Sequence, residues 1–220
     1  HYGTLPGFRH FGYERLLVEY QNVTLRDLQE SETTEHEILG VNGPLVVRRA
    51  KEAIHAEVKI SLGTLKTHRQ YGACLSVANW AEGTWIVPPR QTIAGRVFTR
   101  APWLSAEGVV GAQNLIEQLY EKYPADVGIL DGFLGMEGDG PTDGTAIHVG
   151  VAVASMDSIA TDAIGATLMG IDPRTIGYLD SLARVGRGTI DVAKMDVPLQ
   201  LLRDRARIFQ LPFEQKYLRT

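Results

Sequence analysis

Cysteine is almost missing from this chain. Cys74 is the only one in 220 residues. A single thiol excludes an internal disulfide, a zinc site built from several cysteines, and an iron–sulfur cluster held by this chain alone. It also suits a reducing compartment, and a cytoplasmic location is expected. Long apolar runs are missing too. No stretch of about 18 apolar residues occurs, so no membrane-spanning helix is expected. Nothing reads as a secretory signal, although a chain that starts at His1 rather than Met leaves a removed N-terminal segment open. An excess of positive charge is missing as well. Lys and Arg number 22 against 26 Asp and Glu, a net charge of −4. Nucleic acid, which asks for a basic face, is therefore not an expected partner.

What is present is an ordinary globular composition, 44% hydrophobic and 22% charged. It is enough for a sizeable core without covalent help. No linker, repeat or low-complexity tract interrupts it, so one domain over 1–220 is expected. "GYERLLVEY" (12–20) reads as a short helix with Leu16, Leu17 and Tyr20 on one face. "SETTEHE" (31–37) reads as a loop or edge. "GPLVVRRAKEAIHAEVKISLG" (43–63) reads as strand, short helix, strand, and "GACLSVANWAEG" (72–83) has helical spacing. "SAEGVVGAQNLIEQLYEKY" (105–123) is the clearest helix, with Ser105 as N-cap and Pro124 as its stop. Strands follow at 125–130 and 147–155, and helices at 158–170 (Ser158 as cap, Gly170 as stop) and 175–186. A late strand follows at 189–197. Alternating strands and helices predict an α/β domain with a mixed, mostly parallel sheet flanked by helices.

Three stretches carry residues suited to chemistry. "DGFLGMEGDGPTDG" (131–144) concentrates glycine and acid between two apolar runs. It reads as a long loop joining two strands. Gly138 and Gly140 allow close backbone approach to a ligand, Pro141 stiffens the turn, and Asp131, Glu137, Asp139 and Asp143 could meet a metal or a proton. It is no P-loop, since no Lys-Ser/Thr follows. It is no calcium loop, since Pro141 falls at a ligand position. The plain alternative is a connection whose glycines only make turns. "LGTLKTHRQYG" (62–72) places Lys66, His68 and Arg69 within four residues after a strand. Such a cluster clamps a carboxylate or phosphate, with His68 as acid or base; the alternative is a solvated basic turn. In "SMDSIATDAIGATLMGIDP" (155–173), Asp157 suits a helix start and Asp162 falls among apolar residues, where it needs a partner. Lys66 or a backbone N–H of the glycine loop is expected to supply one. A purely structural ion pair is the alternative. His148 is expected to turn into the core, His36 and His55 to lie at the surface, and Cys74 to be a small core residue.

Taken together, these stretches resemble the family called domain of unknown function 362. That family shows a "PKLKTH" type segment, a later "KN" on a helix, a "DG...G.GP..G" loop and "D..A.D..A...MG" on the next helix. The counterparts here are "LGTLKTH" (62–68), "LSVANW" (75–80), "DGFLGMEGDGPTDG" (131–144) and "DSIATDAIGATLMG" (157–170). The likeness runs from about residue 57 to residue 197. It departs where Ala78 replaces the usual Lys before Asn79, and where another strand and helix usually precede the start of this chain. The resemblance implies redox work beside ferredoxin-like iron–sulfur modules. With one cysteine here, such a cluster would sit on a partner or on a further segment.

The expected site is one cleft in which Lys66, Thr67 and His68 face Asn79, Asp131, Glu137, Asp139 and Asp162. Lys66, His68 and Asp162 are the candidate catalytic groups. Thr67, Asn79, Asp131, Gly138, Asp139, Gly140 and Pro141 are the candidate ligand contacts. The expected partner is a small anionic molecule, and self-association into a homo-oligomer is also open. Two alternatives stand beside an enzyme component: an accessory protein that docks a ferredoxin-like module, and a metal-binding domain using His68 and the loop carboxylates.

Overall fold

A computed structural model describes residues 4–86, 91–93, 96–98 and 101–219. The chain opens with two short helices, α1 (Thr4–His10) and α2 (Arg15–Glu19), neither of which buries a residue. An antiparallel hairpin follows, β1 (Thr33–Gly40) and β2 (Gly43–Ala50), then a single turn of helix, α3 (Lys51–Ile54). β3 (Ile60–His68) turns back into β4 (Gly72–Cys74), which leads into α4 (Ser76–Gly83) and β5 (Trp85–Ile86). β6 (Gln91–Ile93) and β7 (Arg96–Phe98) form a separate small ribbon. α5 (Ala101–Lys122) precedes two long strands, β8 (Val127–Asp139) and β9 (Asp143–Ser155). α6 (Ser158–Leu168), α7 (Gly177–Arg184) and α8 (Leu199–Arg205) complete the order.

The architecture is α/β, but with two sheets rather than one. The first has order β1-β2-β5 and is antiparallel; the second has order β4-β3-β8-β9. Only β3 and β8 run parallel in it, with Ile60 beside Val127. The expected mostly parallel sheet is therefore corrected to a mixed one with a single parallel pair among the described residues. Helices α4 to α7 lie between the sheets in one shared core. Ile116, Leu119 and Tyr120 of α5 are buried there, as their helical spacing predicts.

Several local expectations change. Residues 31–37, expected as a loop or edge, are an edge: β1 begins at Thr33 and forms the edge of its sheet. α5 starts at Ala101, so Ser105 lies inside it, and the Ser105 side chain is outside the described residues. A break at Gly108 (φ 67°) divides that helix. Residues 189–197 hold a 3-10 turn, Val192–Lys194, not a strand. Asp157, not Ser158, caps α6. Its carboxylate accepts the Ile159 and Ala160 N–H groups at 2.9 Å each and also the Thr189 N–H at 3.0 Å, which holds the 189–197 segment against the helix.

The largest correction concerns 131–144. It is the distal half of a β-hairpin, paired in register from Leu134–His148 to Asp139–Asp143, with a bulge between Gly132 and Leu134. A short turn through a cis Gly140–Pro141 peptide closes it. A Cβ on Gly140 would stand 2.0 Å from the Thr67 carbonyl oxygen, whereas one on Gly138 (φ 79°) would meet nothing within 4 Å. Gly140 is thus required by contact and Gly138 by backbone conformation. Urea denaturation should show Gly140→Ala costing about 3 kcal/mol and Gly138→Ala about 1 kcal/mol. Equal, small losses would mean that the hairpin tip does not rest on Thr67.

Candidate functional site

The site grows from the end of β3. Thr67 is buried, and its hydroxyl donates to the Gly138 carbonyl at 2.8 Å. This bond fastens the hairpin tip to β3, so the "LKTH" and glycine-rich motifs do meet. The next residue, His68, is buried with its ring stacked flat on Tyr71, centroids 3.5 Å apart. Its Nδ1 accepts the Gln70 N–H at 3.2 Å. A backbone N–H can only donate, so the ring proton of the neutral form sits on Nε2. Burial first, and the Lys66 ammonium second, hold His68 down to about 3. It is therefore a neutral imidazole at ordinary pH rather than a poised acid or base. Beneath it the Tyr71 hydroxyl donates to Glu82 at 2.6 Å, and burial pushes that phenol well up.

Lys66 is half-buried and takes part in none of the ion pairs among the described residues. Its neighbours are committed elsewhere. Arg69 reaches Asp139 at 3.4 Å in an exposed pair of little energetic weight. Glu137 accepts the Gln210 N–H at 2.7 Å, and the Gly138 N–H donates to the Gln210 carbonyl at 2.8 Å. Gln215 donates to the Arg69 carbonyl at 2.8 Å. Residues 209–215 therefore strap the β3 end and the hairpin tip together. Pro141 lies half-buried in that tip. Asp131 is exposed and, among the described residues, accepts the nearby Phe133 N–H at 2.9 Å beside the bulge. His148 does not enter the core. It is exposed and edge-on to Phe133 at 5.1 Å. Among the described residues no three His, Cys, Asp or Glu side chains converge as a metal would require.

Two predicted residues lie elsewhere. The Asn79 amide donates to Ser61 Oγ at 3.1 Å and to the Leu62 carbonyl at 3.2 Å. Asp162 is fully buried, and its partner is neither Lys66 nor the hairpin. Its carboxylate accepts the N–H groups of Ser76 (2.8 Å) and Val77 (2.9 Å) and the Ser76 hydroxyl, all at the start of α4. Ser76 in turn accepts the Ser61 hydroxyl. Ser61 is five residues before Lys66, about 16 Å along the strand at about 3.3 Å per residue. Burial pushes Asp162 up to about 7, against the pull of its three donors.

Sequence reasoning missed Arg49. It is fully buried at the opposite end of α4, where Nε donates to Thr84 Oγ1 at 2.9 Å and a terminal N–H to the Leu119 carbonyl at 2.8 Å. Its spacing of two from the inward Val47 is the signal that could have revealed it. His36 was misplaced as a surface residue. Its ring nitrogens are buried without hydrogen-bond partners against Tyr123, and burial holds it down to about 4.

Comparison with known proteins gives two matches. The family model described as a domain of unknown function, DUF362, matches residues 2–167. A thylakoid-associated protein of Synechocystis is 32% identical over 143 residues, which is 64% of this chain and 41% of that protein. The chain thus spans less than half the length of that relative. No solved structure matches it. No helix among the described residues is long and apolar enough to cross a membrane.

The protonation states set the pH response. An unfolded histidine takes a proton below about pH 6.5, whereas folded His68 refuses one until about 3. Its contribution to stability is full above about pH 6.5 and is lost as pH falls, by about 1.4 kcal/mol per unit. His36 acts in the same direction. Asp162 acts oppositely: the folded chain keeps its proton up to about 7 while the unfolded one releases it near 3.8, so its contribution falls as pH rises between them. Two imidazoles outweigh one carboxyl, and the chain should be less stable at about pH 5 than at about pH 7. In urea titrations His68→Gln should flatten that decline and Asp162→Asn should steepen it. Unchanged slopes in both would refute these protonation states. Separately, Asp162→Ala should cost about 3 kcal/mol, because buried donors at the head of α4 lose their acceptor; a loss under about 0.5 kcal/mol would contradict that role.

Proposed function

Since the chain belongs to the domain of unknown function 362 family, we propose that it serves as the anion-holding component of an enzyme or redox assembly, with Lys66 as the group that holds the anion. The observation that supports this is the half-buried Lys66 ammonium, which forms no ion pair among the described residues. A partly desolvated cation attracts an anion more strongly than an exposed one. Arg69, only weakly engaged by Asp139, is the second cation, available by exchanging one exposed partner for another. His68 adds no charge and, in this reading, shapes the site instead of moving protons. The strap at 209–215 holds the backbone of the neighbouring Arg69 and the side chain of Glu137 in place. Small carboxylates and phosphate are the fitting ligand class. Any iron–sulfur cluster or other reactive group would sit on a partner such as a ferredoxin-like protein or on a further segment, since the one cysteine here, Cys74, is buried.

Isothermal titration with inorganic phosphate and with acetate is the test. The parent should bind one of them. Lys66→Met should weaken that binding about tenfold, a loss of about 1.4 kcal/mol, and Arg69→Met less. A parent that binds neither probe, or a Lys66→Met chain that binds as the parent does, would sink the reading.

A further inference from the structure

Two apolar surfaces lie open among the described residues. One is the outer face of the β3-β8-β9 sheet. Alternation turns Ile60 and Leu62 of β3 outward, and Phe133 and Leu134 flank the bulge of β8. Leu62 and Phe133 are each 62% exposed. A parallel pair such as β3 and β8 is normally covered on both faces. The outer surface of the other sheet is mixed, with the exposed Glu35–Arg48 ion pair beside the exposed Leu39 and Val46. The second bare surface is the N-terminal arm, residues 4–20. Phe11 is 74% and Val18 87% exposed, and Leu5, Tyr13, Leu17 and Tyr20 also face outward. Helices of seven and five residues do not persist alone in water, so this arm needs a surface to lie on.

We propose that the arm of one copy lies across the outer sheet face of a second copy, reciprocally, in a two-fold dimer. The arm's own sheet face is out of reach. Gln29 is fastened to the Trp85 carbonyl at 3.4 Å, at the β1-β2-β5 sheet. That sheet is on the far side of the helical layer from the face in question. The arm would have to cross three layer spacings of roughly 10 Å each and also pass around an edge. The nine residues from Tyr20 to Gln29 span about 32 Å at most, fully extended. Charge adds one match, the exposed Arg15 of the arm with the exposed Asp131, since Arg9 is already paired with Glu14 at 3.3 Å. Area favours it also. Six exposed apolar side chains per arm at roughly 100 Å² each, met by similar sheet area and doubled by reciprocity, bury up to about 2,400 Å², enough for a stable dimer. Exchange of identical elements closes on itself and leaves no free arm to propagate.

Sedimentation of the full chain at micromolar concentration tests this. The parent should be a dimer. Leu62→Glu on the face and Phe11→Glu on the arm should each weaken it about 100-fold while keeping the parent's circular dichroism, because both side chains are exposed. Amide exchange supplies a second readout. Residues 4–20 and 60–64 should be protected in the parent and lose protection together in either variant. A monomeric parent, or a dimer that survives both substitutions, would overturn the proposal. Phosphate or acetate binding at Lys66 should be the same in Phe11→Glu, whose new charge lies on the arm and not on the β3 face that carries Lys66, so failure here and failure of the anion reading are told apart.

Discussion

Helix α4 is held by a buried polar side chain at each end, and the two sheets are joined through it. At its N-terminus the buried Asp162 accepts two backbone N–H groups and a hydroxyl; at its C-terminus the buried Arg49 grips Thr84, which itself caps the helix through the Trp80 carbonyl at 2.8 Å. The Arg49 cation has the sign that the helix dipole prefers at that end. Arg49 comes from β2 and also binds the end of α5, while Asp162 comes from α6 on the other sheet. An eight-residue helix is too short to organise a core by propensity alone. Clamped this way, it sets the spacing between the antiparallel hairpin and the mixed sheet.

This arrangement also explains how a fully buried guanidinium persists with no carboxylate bonded to it among the described residues. The end of α5 presents the Leu119 carbonyl to it and the end of α4 the Thr84 hydroxyl, and Tyr123 lies 5.9 Å from its carbon. Burial lowers it only to about 10, so the cation is retained. Solvation by helix ends replaces solvation by water. Asp162 is held by donors at the other end of α4 but is pushed up to about 7 by burial, and its bonds there leave Lys66 without the partner the sequence suggested for it.

Much of the framework was legible because it follows simple periods. The apolar spacing of α5, α6 and α7, and the strand-helix-strand order over 43–63, reflect burial on one face. The hairpin was not legible, and the reason is physical. Its inward positions include Gly132 and Gly135, and the space a Cβ would fill is taken by Leu65 and Phe209 from other elements. Alternation was present, but the core side of the strand had no side chains to show it. The acids between them then looked like a loop. The meeting of "LKTH" with the glycine-rich stretch could be read from order and spacing. The separation of Asn79 and Asp162 from it could not, since it depends on where α4 begins relative to β3. Nor could the role of residues 209–215, whose contacts with Arg69, Glu137 and Gly138 lie more than 70 residues away in the chain.

The strap has a consequence in time. Chains are made from the N-terminus at about 5–20 residues per second. The hairpin tip is complete when Pro141 has been added, but Phe209 and Gln210 come some 70 residues later. For several seconds of synthesis β3 and β8 can pair while the slot beside Gly135 stands empty and the Gly138 N–H has no acceptor from Gln210. The Lys66 end of β3 is thus completed only after residues 209–215 have been made.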